Sequence, residues 1–297
     1  MSLLSVLCGA GPALRRRPGF SLAEALVGLV LLGIVSTALV RVLAGGQRQH
    51  RAHAQRVALT ESTRAALAIL PVEFRELSAG EGDILVMDST SITFKSMQAL
   101  YVLCADPDTA ARGILLDGAT AYGSRSIDVP DDSVLVFAEG DPATRLDDTW
   151  LSAGASSAVS GSGCSGGGPS MSLTLTGVTA TRLAGVQAGA PVRTFRPVQV
   201  LTYQDANRDW WLGQRRFQPS SGSWSTVQPV LGPLSSSGLA LTYLDATGNP
   251  ADRSVAVARI GVRVRSRSPE RVFGAGGTLY LVQDATTQVA VRNNPLY

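Results

Sequence analysis

Few charged side chains occur in this chain of 297 residues: Asp, Glu, Lys and Arg make up 16%, aromatic residues 6%, and there are only two histidines and three cysteines. Each scarcity excludes something. The net charge of +3 resides in Arg15, Arg16 and Arg17; setting those aside leaves 23 basic against 23 acidic side chains. A neutral remainder gives no electrostatic reason for nucleic acid as the main partner. Both histidines, His50 and His53, precede most of the chain, with no acid or cysteine beside them to complete a metal site. The "GCSGG" stretch, Gly163 to Gly167, matches a nucleophile elbow, but no histidine follows it and its surroundings are Gly and Ser rather than a strand and a helix. No catalytic residue and no cofactor is expected. Cysteine spacing fits neither zinc nor a CxxC redox pair; Cys8 lies in the first residues, and Cys104 and Cys164 form an even pair that reads as a disulfide of an oxidising compartment.

Phe20 to Val40 is a long apolar run whose one charge is Glu24. At about 1.5 Å per residue a helix of this length spans roughly 30 Å, the core of a bilayer. Three arginines before it favour a cytoplasmic N-terminus and an exported C-terminal bulk. A carboxylate within such a run is a functional residue by default, because burying it in lipid costs about 2–3 kcal/mol at mid-membrane and less near an end.

The stretch "RRRPGFSLAEAL" resembles the class III signal of type IV prepilins and type II secretion pseudopilins. The pattern is a basic leader ending in Gly, then Phe, then Glu five residues after the cut. Gly19, Phe20 and Glu24 occupy those positions. The resemblance implies cleavage between Gly19 and Phe20 by prepilin peptidase and N-methylation of Phe20. It also implies Glu24 as an assembly residue that neutralises a neighbouring subunit's terminal amine. The implied partners are that peptidase, other major and minor pilins or pseudopilins, the inner-membrane assembly platform and the membrane itself. The implied location is the bacterial inner membrane with a periplasmic head, then a filament at the cell surface. The absence of proline between Phe20 and Leu70, with a head larger than usual for a major subunit, favours a minor role, PilW-like or J-like. A minor pilin, a minor pseudopilin of type II secretion, and an anchored adhesin or ligand-binding protein all remain open here.

Beyond Gly46, Leu59, Thr63, Ala66, Leu70, Phe74 and Leu77 recur at steps of three and four, the stripe of an amphipathic helix. Gly45-Gly46 is expected to be a joint, Pro71 a kink, and "SAGEG" the end of the helix. From residue 80, short runs such as "DILVM", "SITF", "ALYVLC", "SVLVFA", "TLYLVQD" and "QVAVR" read as strands bounded by turn residues. The expected fold is therefore α+β: one long N-terminal helix, membrane half 20–45 and amphipathic half 46–79, after a leader 1–19, packed on an antiparallel β-rich head 80–297. Residues 152–170, rich in Gly and Ser, are expected to be a surface loop stapled by Cys164.

Three further sets are weighed. Asp205, Asn207 and Asp209 begin like a calcium loop, but Trp210 replaces its glycine, and a turn between strands is the simpler reading. Arg263, Arg265 and Arg267 share one strand face, available to an acidic subunit or, less simply, to DNA, since no aromatic residues interleave. Of adjacent Trp210 and Trp211, one is expected to face the core and the other outward, as an interface anchor beside Arg215 and Arg216.

Overall fold

The computed structural model describes residues 21–123, 125–140, 143–144, 147–164, 167–274 and 277–292. It divides into two units, one ending at His53 and the other beginning at Ala54. A single helix, α1 (Leu22–Arg75), contributes to both.

In the first unit, the apolar side chains from Leu22 to Leu43 stand exposed around the helix, Leu32 at 62% and Ile34 at 62%. Mean hydropathy there reaches 2.4. Leaving this much apolar surface in water is unfavourable at about 25 cal/mol per Å², so the run calls for an apolar surrounding. The helix fits a membrane-anchored, single-pass protein. It continues unbroken through Gly45 and Gly46, where the sequence suggested a joint.

In the second unit, α1 lays the predicted stripe onto a sheet. Leu59, Thr63, Ala66, Leu70 and Phe74 are buried, and Leu77 follows just beyond the helix end. The helix runs past Pro71 to Arg75. A short 3₁₀ turn, Ala79–Glu81, closes at Gly82, whose φ of 76° is left-handed and suits glycine.

Among the described residues the head is a 13-stranded sheet in which the strand pairs are antiparallel. Its strands are β1 (Ile84–Met87), β2 (Ser91–Val102), β3 (Gly113–Asp117), β4 (Tyr122–Gly123), β5 (Ser133–Ala138), β6 (Thr149–Gly161), β7 (Ser170–Thr176), β8 (Pro191–Gln204), β9 (Trp210–Gln218), β10 (Ser223–Trp224), β11 (Gln228–Leu244), β12 (Arg259–Gly274) and β13 (Gly277–Ala290). The main path runs β13-β12-β11-β9-β8-β5-β6-β7-β3, with β2 also on β8, flanked by β1 and β4. Strand β8 therefore organises the head. Along one edge it pairs with β2; along the other it pairs first with β5 and then with β9. Two cores result. One joins Leu70, Phe74 and Leu77 to Phe94, Val198, Leu212, Ile260 and Val262; the other gathers Tyr101, Leu116, Val136, Leu151, Leu173 and Val192.

The head is mostly β, less of an α+β mixture than the sequence suggested: after α1 the described residues hold one α-helical turn, α2 (Ala180–Leu183). Two pairs of short runs are single strands. "SITF" and "ALYVLC" fuse through Lys95 to Gln98 into β2, and "TLYLVQD" and "QVAVR" fuse into β13. The Gly/Ser stretch expected to be a loop is largely strand β6. Its Leu151, Ala153 and Ala155 are buried in alternation, and its backbone pairs with β5 on one side and β7 on the other. Backbone ladders hold a segment whose side chains are too small to signal a strand. Cys104 and Cys164 are disulfide-bonded as expected, Cα to Cα 5.5 Å, tying the end of β2 to the chain leaving β6.

Candidate processing and assembly site

Ser21 and Glu24 bracket the first turn of α1. The Glu24 backbone N–H donates to Ser21 Oγ at 3.2 Å, and the Ser21 N–H donates to Glu24 Oε2 at 3.4 Å. This reciprocal capping box satisfies two otherwise orphaned donors and sets an anion at the positive end of the helix. Only one carboxylate oxygen is used in this way, so Glu24 retains acceptor capacity at the foot of an exposed apolar helix. Gly19, Phe20 and the leader arginines lie outside the described residues. The role of Ser21 was missed in the sequence, although the S-x-x-E spacing at 21–24 is the capping signal.

The other sets fall elsewhere. Asp205, Asn207 and Asp209 form the β8–β9 turn. Asp205 Oδ1 accepts from the Asn207 and Asp209 N–H groups at 2.9 Å each, and its Oδ2 accepts from Trp211 Nε1 at 3.1 Å. Asp209 pairs with Arg267. Among the described residues no cluster of three metal-ligating side chains occurs. His50 and His53 are exposed on α1.

Trp210 and Trp211 are both half-buried. Trp210 packs at the margin of the first core. The ring of Trp211 lies against Gly232, where an added Cβ would come within 2.5 Å of it. Arg263, Arg265 and Arg267 do share a face, alternating with buried Val262, Val264 and Ser266. Much of that charge is answered within the head. Arg263 binds Asp284 through Nε at 2.9 Å, holding the aspartate below the usual carboxylate range, and the Arg267 guanidinium lies 4.3 Å from the Tyr280 ring centroid.

Sequence reasoning also missed two buried ionic groups. Asp83, with no exposed surface, accepts from the Ser78 N–H at 2.9 Å and from Arg193 at 3.4 Å. Burial pushes its carboxyl above the usual value, with the Ser78 bond and the Arg193 charge opposing. Asp132 is held by Arg196 at 2.7 Å. Arg193 also pairs with Glu81, lies 5.5 Å from the Trp150 ring centroid, and edges a cleft of about 890 Å³ that Tyr122 and Arg292 help to line. The oppositely charged partners stand 64 to 112 positions apart and leave no local sequence signal.

No curated protein and no solved structure matches the chain. Residues 14–40, which contain Ser21, Glu24 and most of the exposed apolar run, match the family described as the prokaryotic N-terminal methylation motif. The chain thus carries a class III signal at residues 14–40, consistent with the type IV prepilin and pseudopilin family and with processing by prepilin peptidase.

Proposed function

We propose that this chain is a minor pilin that primes or caps a type IV pilus after prepilin peptidase cuts between Gly19 and Phe20 and methylates the new amine. The observation that carries the proposal is the methylation motif at residues 14–40 leading directly into an exposed apolar helix with one acid in its first turn. After the cut Phe20 carries a cationic amine, and Glu24 of a neighbouring subunit supplies the counter-charge. In a low-dielectric filament core the pair attracts far more strongly than in water, and a register error leaves two charges unpaired. Glu24 therefore sets register, the capping box holding it in the first turn. The β-rich head meets other minor subunits on the periplasmic side. In this reading the chain is a peptidase substrate and not an enzyme. The size of the head and the absence of proline between Phe20 and Leu70 favour the low-copy role. A minor pseudopilin of type II secretion uses the same residues in the same way, and the companion subunits that copurify distinguish the two.

The test is mass spectrometry of the N-terminus of membrane-extracted protein from cells with and without a prepilin peptidase. An N-methylated Phe20 only in the presence of the peptidase is the expected result. An intact leader, or a cut near Gly46, would overturn the filament reading in favour of an anchored or secreted binding protein.

A further inference from the structure

Between Glu24 and Glu61 the chain has no acidic residue, yet Arg41, Arg48 and Arg51 all fall there, exposed on α1 where the apolar run ends at Leu43. A helix turns about 100° per residue, so positions 41 and 48 differ by only about 20° and position 51 lies about 60° further round. The three guanidiniums occupy one arc of about 80° on one side of the helix.

Their heights match the layers of a bilayer. With Leu43 at the hydrocarbon edge and about 1.5 Å rise per residue, Arg48 stands about 7 Å beyond it and Arg51 about 12 Å. The headgroup layer on each side is roughly 5–8 Å thick. Arg41 reaches that layer from below, its aliphatic stem staying among lipid chains while the guanidinium extends outward. Arg48 stands within it. Arg51 stands about 4–7 Å outside it, within reach of a long side chain and within a Debye length of the phosphates. Gly45 and Gly46 lie between Arg41 and Arg48 in the chain, and an added Cβ at either would have nothing within 4 Å.

We propose that Arg41, Arg48 and Arg51 form a binding face for the phosphates of anionic phospholipids such as phosphatidylglycerol at the C-terminal end of the membrane run. Guanidinium suits the task because its planar fork binds phosphate oxygens in pairs. The contact clamps the helix across the Gly45-Gly46 pair, where two glycines weaken it. Detachment from these headgroups then accompanies any withdrawal of the helix from the bilayer. The proposal rests on α1 crossing a membrane and not on cleavage at Gly19, so failure of the processing experiment leaves it standing, and its own failure leaves processing untouched.

The test uses the full chain reconstituted in phosphatidylcholine vesicles with trace spin-labelled phosphatidylglycerol or phosphatidylcholine. The fraction of label immobilised at the protein gives the relative association of the two lipids. One basic side chain near the surface contributes about a fivefold preference for an anionic lipid. A preference of about fivefold or more is expected at low ionic strength, decreasing with added salt. It should fall several-fold in the combined Arg41→Gln, Arg48→Gln, Arg51→Gln variant, Arg15 to Arg17 at the other end of the run accounting for what remains, and persist in the corresponding lysine variant, which keeps the charges. Unchanged circular dichroism and an intact Cys104–Cys164 bond show that a variant is folded. A ratio near one in the parent chain, or a preference undiminished in the glutamine variant, would overturn the proposal and leave this face to an acidic protein surface.

Discussion

Removing the Phe74 ring tests whether the amphipathic half of α1 is fixed to the head through one face. Phe74 has no exposed surface and meets Phe94 edge to face, ring centroids 5.6 Å apart. Leu70, Leu77, Ile92 and Ile260 share its core. Losing the buried ring costs about 1.5–3 kcal/mol in transfer, about 0.5–1.5 more for the aromatic pair, and a further cavity contribution because the surrounding core relaxes only partly. Phe74→Ala should therefore destabilise the second unit by about 4 kcal/mol, a large part of the 5–15 typical of whole domains. The control is Ile69→Ala on the same helix, 49% exposed, which should cost well under half as much. Urea unfolding of the full chain in detergent micelles, followed by tryptophan fluorescence, measures both. Equal losses at the two positions, or a loss below about 1 kcal/mol at Phe74, would refute the packing described here.

Replacing both Cys104 and Cys164 by serine opens a loop of sequence separation 60 and should cost about 4 kcal/mol on the chain-entropy account, read as a lower urea midpoint in the variant than in the oxidised parent. Asp83→Asn probes the buried carboxylate. Because its folded pKa is raised, the folded chain holds the proton longer than the unfolded one, and the resulting stability is present below about pH 3.9 and lost as pH rises through the folded value. The stability of the asparagine variant relative to the parent should therefore increase from pH 4 to pH 7, and parallel pH profiles would count against the assignment. Glu24→Ala should leave membrane insertion intact while lowering recovery of the chain in sheared filaments at least tenfold; full recovery would remove Glu24 from the assembly step. Arg267→Ala should destabilise the head more than Arg265→Ala, by about 1 kcal/mol, since Arg267 engages both Asp209 and Tyr280; equal urea midpoints would show those contacts to be incidental.

What could be read along the chain was whatever depends on neighbours within about one helical turn or a few strand positions. The class III signal is contiguous from Arg15 to Glu24, the membrane run is a matter of length and hydropathy, and the stripe from Leu59 to Leu77 recurs at the helical period because one face of that helix is buried. Even the Ser21–Glu24 capping box was legible, at spacing three, though overlooked. Tertiary structure alone decided what depends on residues far apart in sequence. Strand β6 forms in a Gly/Ser segment because β5 and β7 hold its backbone from both sides. Strand β2 continues through Lys95, Ser96, Met97 and Gln98, three of them polar, because β8 runs alongside it, and Ser96 finds Glu73 at 3.2 Å. Arg193 meets Asp83, and Arg267 meets Asp209, only after the sheet has brought together positions 110 and 58 residues apart. Such pairings leave no local period or motif, because their energy comes from backbone ladders and burial that exist only once the sheet has closed.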